Sequence, residues 1–324
     1  MAKKEKEVKE EPTPEEILSD LEKKYGVNRI DPKELTIVNT GSIELNKATD
    51  IGGTALGKML EIFGENSSGK STISLHQMAE YQKAFSDRKV ALFDYEYSFD
   101  MDYAASIGVD VEKLLIYQPD SQEIGYDMII GLVEKELVSL IVIDSQTAAA
   151  PKAIIDGGMT DATISLQARV NSKFCLKIKG LLDKHKTSLI FISQLRSDIG
   201  SMGEPTNTTG GKAIRFYCDM RWKVWKINDK VNENNKTTVD VVKNKLGKPF
   251  GVAKIDIQWG IGFDKVGELL EYAAKFKFIE KGGSWWTIKE QKMQGIEAVK
   301  EFLEDNPELF QEIKEQVLTK LKGE

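Results

Sequence analysis

The chain contains a glycine-rich stretch, residues 64–72, with the sequence GENSSGKST. The order of glycine, four residues, glycine, lysine and a hydroxyl side chain is typical of a phosphate-binding loop. In such a loop the backbone N–H groups surround phosphate oxygens, Lys70 reaches the β- and γ-phosphates, and the Ser71 hydroxyl can ligate Mg²⁺. An apolar segment precedes the stretch and a helix-compatible run, residues 71–85, follows it, as this chemistry requires. The predicted nucleotide site consists of Gly64, Glu65, Asn66, Ser67, Ser68, Gly69, Lys70, Ser71 and Thr72.

Acidic residues follow two other apolar runs. Asp144 ends the run of residues 140–144, and at this distance from a phosphate-binding loop we expect it to hold Mg²⁺ directly or through water. Asp94 and Glu96 lie two residues apart at the end of another run, so on a strand they would point to the same side. A carboxylate there can orient or deprotonate the water that attacks a γ-phosphate, and we choose Glu96 for this role. The alternative is an acidic residue that simply faces solvent.

A long segment without a secondary-structure pattern follows Gln194, the residue after the apolar run of residues 189–193. Loops as long as residues 195–209 are usually functional or disordered. This one includes Arg196 and leads to Gly210-Gly211-Lys212, where free amides before a short helix suit a phosphodiester backbone. Because Gln194 joins the nucleotide site to this loop, the phosphate state could order the loop.

Two further features could act on phosphates. A glycine-containing loop, residues 156–161, precedes a helix that carries Arg169, Lys173 and Lys177. Lys243-Asn244-Lys245 places two lysines on one face at the end of a predicted strand. Protection of an edge strand against aggregation is one interpretation of this pair, and spacing alone favours it. Neutralisation of a triphosphate across a subunit boundary is the other.

The elements that must position these residues predict an α/β fold. Apolar runs alternate with helix-compatible stretches between residues 35 and 195, which indicates a mostly parallel sheet covered on both faces. After residue 215 strands follow one another without long helices and should extend the sheet in antiparallel fashion. We divide the chain into a disordered charged tail (1–12), an N-terminal helix and linker (13–34), an ATPase-like core (35–266) and a small α+β C-terminal domain (267–324).

Composition limits the classes of function. The net charge is −6 and the pI is about 5.4, so any nucleic-acid binding must be local, in loops or a groove. Only two cysteines occur, and neither has a metal-site or redox spacing. No run approaches the length of a membrane span, and the Lys/Glu-rich start lacks the apolar core of a secretory signal. We therefore expect a cytoplasmic protein that does not enter a membrane.

Taken together, the ordered motifs resemble those of the bacterial RecA recombinases, including phage-encoded relatives. The resemblance extends from about residue 15 to residue 323. It includes NTGS at 39–42, the loop at 64–72, DYE at 94–96, IVIDS at 141–145, SQLR at 193–196, TTGG at 208–211, VVKNK at 241–245 and GGSWW at 282–286.

The resemblance implies protomers that assemble into a helical filament on single-stranded DNA, bind ATP and Mg²⁺ between neighbours, and exchange strands with homologous double-stranded DNA. By similarity, Glu96 is the hydrolytic base, Gln194 senses the γ-phosphate, and Lys243 and Lys245 act on the ATP of the adjacent subunit. The N-terminal helix would pack on the next protomer. The adenine contacts would be Asp100 and Tyr103, the Mg²⁺ ligands Ser71 and Asp144, and the DNA contacts Arg169, Ser172, Arg196, Ile199, Gly210, Gly211 and Lys212.

The chain departs from the family pattern at a few positions. Val266 stands where a tyrosine often covers the neighbour's adenine, and Leu176 where an arginine often contacts DNA. Lys212 replaces a commonly neutral residue and could compensate for the missing arginine at position 176. The chain stops at Glu324 without the long acidic tail of many relatives, so either restraint of duplex binding by a tail is weak or the sequence is truncated.

Two other functions remain open at this stage. A ring-forming helicase motor would share the phosphate-binding loop and both acids, but not the TTGG and KNK motifs in this order. A scaffold that coats DNA and binds ATP without turnover would not need Lys70, Glu96 and Asp144 together. The sequence does not decide whether a self-cleaving repressor is an additional partner, or whether the source is bacterial or phage.

Overall fold

The structure, a computed structural model, describes residues 13–26, 35–158, 165–196, 207–208, 211–226 and 235–322. The chain divides into two units, Met1–Thr36 and Ile37–Glu324. The helices are α1 (Pro14–Tyr25), α2 (Ile43–Ala48), α3 (Lys70–Ala84), α4 (Met101–Ile107), α5 (Gln122–Glu134), α6 (Lys152–Ile155), α7 (Leu166–His185), α8 (Ala213–Tyr217), α9 (Lys265–Lys275), α10 (Ile296–Glu304) and α11 (Pro307–Lys322). The strands are β1 (Ile37–Val38), β2 (Thr54–Ala55), β3 (Met59–Gly64), β4 (Lys89–Asp94), β5 (Leu114–Tyr117), β6 (Val138–Asp144), β7 (Ser188–Arg196), β8 (Asn207–Thr208), β9 (Met220–Lys226), β10 (Asn235–Asn244), β11 (Val252–Gln258), β12 (Gly262–Phe263), β13 (Glu280–Gly282), β14 (Trp285–Ile288) and β15 (Gln291–Gln294).

The helix of the first unit, α1, has well-defined ends. The Thr13 hydroxyl accepts a hydrogen bond from the Glu16 N–H at 3.3 Å, and the Glu16 carboxylate accepts one from the Thr13 N–H at 2.8 Å. This reciprocal pair is a capping box, which satisfies backbone donors that have no partner within the helix. Gly26 ends the helix with φ of 64°, a left-handed conformation that glycine adopts without steric cost. The start and end expected from the sequence are confirmed.

The second unit is built on one large mixed sheet. Its strand order is β12-β11-β10-β9-β3-β7-β6-β4-β5. The six strands from β9 to β5 run parallel, whereas β10, β11 and β12 continue the sheet in antiparallel fashion. This is the architecture expected from the alternation of apolar runs and helices in the first part and from its loss after residue 215. The predicted α/β fold class is confirmed.

The parallel strands β4, β6 and β7 are mostly apolar because both of their faces are covered. Alternate side chains point to opposite faces of a strand, so each strand contributes to two cores. Leu60 and Ile62 of β3 pack in the core that contains α3, whereas Met59 joins the core beneath α5 and α7. This arrangement fixes the carboxyl ends of β3, β4, β6 and β7 at one edge of the sheet, where ligands bind in folds of this class.

Strand β7 is longer than the sequence predicted. The apolar run 189–193 predicted the strand, but pairing continues through Gln194, which lies opposite Gly64 of β3. Leu195 and Arg196 then pair antiparallel with Thr208 and Asn207. The prediction of a patternless loop over residues 195–209 is therefore wrong at both of its ends. The reason is that two-residue pairings are too short to give a periodic signal in the sequence. Residues 197–206 lie outside the described residues.

A smaller core lies beneath the C-terminal elements. Helices α9, α10 and α11 enclose it together with the three-stranded sheet β13-β14-β15. Helix α9 begins at Lys265, so the proposed domain boundary after residue 266 falls in its first turn. Val266 packs partly buried against this core. Among the described residues, no helix has the length and apolar character needed to cross a membrane.

A buried ion pair joins the central strand to its neighbour. The carboxylate of Glu61, 0% exposed, accepts a hydrogen bond from Arg221 Nε, and the guanidinium lies 4.2 Å from the ring centroid of Phe63. We predict that Arg221→Ala lowers the free energy of unfolding by about 3–5 kcal/mol, because it leaves a buried carboxylate without its cation. Urea denaturation measures this change. Replacing both partners, as Glu61→Leu with Arg221→Met, should recover most of the stability, and an equal loss in both variants would contradict the electrostatic explanation.

Candidate functional site

The glycines of the phosphate-binding loop allow close backbone contacts. A Cβ on Gly64 would lie 2.0 Å from the Val224 carbonyl oxygen, and one on Gly69 would lie 2.8 Å from Ile257 Cδ1. Gly69 has φ of 103° and precedes α3 without a side-chain cap. The amides at the start of α3 therefore remain available to an anion, which the positive end of the helix dipole also favours. The loop that the spacing predicts is present between β3 and α3.

Lys70 is held inside this loop. Its ammonium Nζ donates to the backbone carbonyl of Glu65 at 2.6 Å. Burial lowers the pKa of Lys70, and the nearby carboxylates of Asp144, Glu96 and Glu65 partly oppose that shift. A triphosphate would supply further negative charge at this position and so favour the charged lysine.

Ser71 and Asp144 meet at the end of β6, as the sequence predicts. The Ser71 hydroxyl donates to Asp144 Oδ2 at 2.9 Å. Burial raises the pKa of Asp144 to about 6; the Ser71 hydrogen bond and Lys70 oppose the shift, and Glu96 and Asp94 add to it. A hydroxyl and a carboxylate suit Mg²⁺, which takes few protein oxygens and several waters or phosphates. In the part of the chain that the structure describes, no group of three or more histidine, cysteine, aspartate or glutamate side chains is arranged to hold a metal ion.

The raised pKa of Asp144 makes a prediction for the nucleotide-free and Mg²⁺-free protein. A carboxyl whose pKa is higher in the folded state favours folding while it is protonated, and this contribution is lost as the pH rises through 6. At neutral pH the ionised Asp144 is therefore a net cost. We expect Asp144→Asn to raise the free energy of unfolding by about 1–2 kcal/mol at pH near 7.5 and by roughly half as much at pH near 5, where the unfolded carboxyl is still ionised.

Urea denaturation of wild type and variant at both pH values checks this expectation. A gain of the same size at the two pH values would contradict it. The same variant should bind Mg²⁺ together with nucleotide more weakly, because an amide lacks the carboxylate charge.

Glu96, the residue predicted as a hydrolytic base, lies two positions after the end of β4. Its Oε1 accepts hydrogen bonds from Gln194 Nε2 at 2.8 Å and from the Ser145 hydroxyl. Gln194 lies on β7 and Ser145 directly follows β6, so two neighbouring strands orient this exposed carboxylate. In the sequence, nothing except the position of Ser145 directly after β6 indicated that it would contact Glu96.

Asp94 does not share the setting of Glu96. It is buried, and its carboxylate accepts the N–H groups of Glu96 at 3.1 Å, Ser98 at 3.1 Å and Phe99 at 3.3 Å. The two residues do not share a strand face as expected, because β4 ends at Asp94 and Glu96 lies in the turn that follows. Asp94 fixes that turn, and the turn presents Glu96.

A cavity of about 220 Å³ adjoins the phosphate-binding loop. Tyr103 lines it, and the Tyr103 hydroxyl lies 3.0 Å from Thr72 Oγ1. Asp100 caps α4 by accepting from the Tyr103 N–H at 3.0 Å, which leaves its second oxygen for other contacts. The cavity is smaller than the roughly 300–1,000 Å³ of most small-molecule pockets.

Trp259 was not predicted as a site residue. It lines the same cavity with 88% of its surface exposed, just after β11. Val266, where the family pattern suggested an aromatic, packs instead in the C-terminal core. One feature of the sequence could have drawn attention to Trp259. A large aromatic residue directly before a glycine turn at Gly260 is placed where an exposed ring can contact a ligand.

Lys243 and Lys245 lie at the other end of the sheet from the phosphate-binding loop. Lys243 is paired with Arg221, level with Glu61 near the start of β3, whereas the loop leaves the far end of β3. Lys243 Nζ donates to the carbonyls of Arg215 at 2.7 Å and Phe216 at 3.1 Å, and Lys245 Nζ donates to that of Phe216 at 3.4 Å. Within one protomer the two lysines therefore contact the last turn of α8 and are absent from the lining of the nucleotide cavity.

The structure brings some of the predicted DNA-binding residues together. Arg169, exposed, and Ser172 lie in the first turns of α7. Gly211 approaches the same turns so closely that a Cβ on it would lie 2.6 Å from Ala168 Cβ. Lys212, exposed, precedes α8. The backbone of Arg196 ends β7, and Ile199 and Gly210 lie outside the described residues.

Comparison with known proteins agrees with this geometry. A family model described as the RecA N-terminal domain matches residues 14–264, and one described as the RecA C-terminal domain matches residues 267–322. Protein RecA of Bacillus thuringiensis (strain Al Hakam) is 39% identical over 308 residues, covering 91% of this chain and 89% of that protein. Protein RecA of Campylobacter hominis is 40% identical over 313 residues, covering 92% and 89%.

A solved structure shares the fold. The crystal structure of the RadB recombinase aligns with a TM-score of 0.53 at 19% sequence identity, covering 70% of this chain and 98% of that one. The family models and the identities to bacterial proteins establish the family. The chain belongs to the RecA family of recombinases, which are DNA-dependent ATPases.

Proposed function

We propose that the protein binds ATP and Mg²⁺ at residues 64–72, forms a filament on single-stranded DNA, and couples ATP hydrolysis to exchange of that strand with a homologous duplex. The observation that carries this proposal is the hydrogen bond from Gln194 Nε2 to Glu96 Oε1, 2.8 Å long. Gln194 lies on β7, directly before residues 195–209, the predicted DNA loop. One side chain thus links the hydrolytic carboxylate to the DNA-binding segment.

The roles of the residues around the triphosphate follow from their contacts. When a triphosphate binds, the ammonium group of Lys70 would leave the Glu65 carbonyl and donate to phosphate oxygens, whose negative charge makes the hydrogen bond stronger. Ser71 and Asp144 hold Mg²⁺, which neutralises charge on the phosphates when bound. Glu96 orients the attacking water and accepts its proton. The amide of Gln194 donates to Glu96. A bound γ-phosphate would offer that amide a second acceptor, so we assign to Gln194 the sensing of the γ-phosphate.

The adenine and the neighbouring subunit complete the site. Asp100 and Tyr103 are proposed to contact the adenine, and Trp259 supplies an exposed ring at the same cavity. Because Lys243 and Lys245 lie at the far end of the sheet from the phosphate-binding loop of their own chain, we propose that they reach the triphosphate of an adjacent protomer. The N-terminal helix would pack on that adjacent protomer.

DNA contact is proposed at the start of α7 and beside α8. Arg169, Ser172, Arg196, Gly210, Gly211 and Lys212 would bind the phosphate backbone with cations, a hydroxyl and backbone amides, and Ile199 would separate groups of bases. Such contacts do not read sequence, so homology would be tested by base pairing itself. A mode of DNA binding that uses a few local cations is also compatible with the net charge of −6.

The deciding experiment is three-strand exchange with ATP, in which the wild-type chain is compared with Lys70→Ala. We expect joint-molecule formation and phosphate release that depends on single-stranded DNA for the wild type, and neither for Lys70→Ala. Unwinding of a fork without strand exchange would instead identify a helicase motor. ATP binding without phosphate release would identify a non-catalytic scaffold.

Three further assignments belong to this proposal. We place the protein in the cytoplasm, supported by its two buried cysteines, Cys175 and Cys218, neither of which is in a disulfide. We retain the division into residues 1–12, 13–34, 35–266 and 267–324. A self-cleaving repressor is a candidate partner of the filament, to be tested by incubating such a repressor with the protein, ATP and single-stranded DNA.

A further inference from the structure

Gln167 connects the start of α7 to the segment that follows the Mg²⁺ residue Asp144. Its side-chain Nε2 lies within hydrogen-bonding distance of three backbone carbonyls, those of Gln146 at 3.0 Å, Thr147 at 3.3 Å and Ala149 at 2.9 Å. Three carbonyl acceptors around one atom identify that atom as the amide nitrogen rather than the oxygen. Gln167 thus holds the segment that follows β6 against the helix proposed to contact DNA.

Thr147, in that same segment, contacts β7. Its hydroxyl Oγ1 accepts a hydrogen bond from the backbone N–H of Gln194 at 3.0 Å. The side chain of Gln194 in turn donates to Glu96 at 2.8 Å. The position of Gln194 against the hydrolytic carboxylate is therefore set partly by Thr147.

The other end of this chain of contacts lies at the proposed DNA surface. Gln167 is the second residue of α7, two positions before Arg169 and five before Ser172. Gly211 lies against the residue between Gln167 and Arg169, Ala168. A ligand that moves the first turn of α7 would therefore act on the contacts between the amide of Gln167 and its three carbonyls.

We infer that Gln167 and Thr147 are positioning residues that transmit DNA contact at α7 to the placement of Gln194 against Glu96. This inference rests on the proposed function, because it needs DNA at Arg169 and Ser172. The contacts are contiguous and each is a directed hydrogen bond, so they can carry a coupling free energy between the two sites. Residues in one such network are expected to show non-additive effects when mutated.

The alternative is a purely structural role. Backbone carbonyls in an irregular segment need donors, and Gln167 could do no more than satisfy them. A structural role would change stability, nucleotide affinity and all turnover together. A positioning role would change only the turnover that DNA stimulates, with the unstimulated turnover and the affinity for DNA preserved.

The test uses three single variants and one double variant. Thr147→Val removes the acceptor hydroxyl while keeping the shape, Thr147→Ser keeps the hydroxyl, and Gln167→Leu removes the donor amide at similar size. For each we would measure phosphate release with and without single-stranded DNA, the KM for ATP, and the Kd for a labelled oligonucleotide. We expect Thr147→Val and Gln167→Leu to lower the DNA-stimulated kcat by at least about five-fold, with unstimulated kcat and DNA Kd within about two-fold.

Rescue and additivity complete the design. Thr147→Ser should stay near wild type, and the double variant Gln167→Leu with Thr147→Val should be no slower than the slower single variant. Normal DNA stimulation in both single variants, loss of stimulation in Thr147→Ser, or a matching loss of unstimulated turnover would each overturn the inference. If the wild type itself shows no DNA-stimulated turnover, the proposed function fails first and this inference with it.

Discussion

Replacing Glu96 by glutamine is expected to lower DNA-stimulated ATP turnover by about 10²–10⁴-fold, the usual effect of removing a general base. The glutamine amide keeps the volume of the side chain, and its oxygen can still accept from Gln194 and Ser145, as Glu96 does now. It cannot accept a proton from the attacking water. The contacts of residues 64–72 with the triphosphate are unchanged, so filament formation that depends on ATP and DNA should persist.

Two measurements on one sample separate these effects. Phosphate release in the presence of single-stranded DNA reports turnover, and sedimentation or electron microscopy reports the filament. Glu134→Gln is a matched control, since it makes the same charge change at an exposed residue at the end of α5. If Glu96→Gln released phosphate at the wild-type rate, another group would have to be the base.

The features that could be predicted from the sequence have a local cause. Largely apolar runs predicted β3, β4 and β6 because a strand buried on both faces is mostly apolar. The phosphate-binding loop was recognisable because its glycines meet steric demands, as the close approach of Gly64 to Val224 O shows. Glu96 and Gln194 follow such runs, and the carboxyl ends of parallel strands collect at one edge.

The features that could not be predicted depend on tertiary structure. Asp94 and Glu96 appeared equivalent by spacing, yet the turn after β4 buries one and exposes the other. Antiparallel strands were expected in this part of the chain, but the register of β11 against β10, which places Trp259 at the nucleotide cavity, could not be predicted from the sequence. The contacts of Gln167 depend on how α7 packs, so one glutamine near a helix start gave no indication of them.

Changing Lys243 and Lys245 together to alanine is expected to lower DNA-stimulated turnover by about 10³–10⁵-fold, the range observed when a cation that stabilises the phosphoryl-transfer transition state is removed. Both lysines lie at the far end of the sheet from the phosphate-binding loop of their own chain. We therefore predict that they act on the ATP of an adjacent protomer. Nucleotide binding by a single protomer, measured at concentrations below filament assembly, should be unchanged.

A different role predicts a similar loss. The two ammonium groups donate to the carbonyls of Arg215 and Phe216 at the end of α8, so they could serve only as a cap for this helix. The cap would stabilise α8 within each chain, and its removal would damage that chain alone. Loss of turnover by itself does not distinguish a cap from a contribution across the interface.

Mixing two inactive proteins distinguishes them. One is the Lys243→Ala, Lys245→Ala variant, which has an intact phosphate-binding loop, and the other is Lys70→Ala, which has intact lysines. If the lysines act across the interface, a Lys70→Ala protomer beside a double-variant protomer completes one working site, and mixed filaments should recover part of the DNA-stimulated phosphate release. If the lysines only cap α8, no mixed interface contains a complete site, and the mixture should stay as inactive as its components.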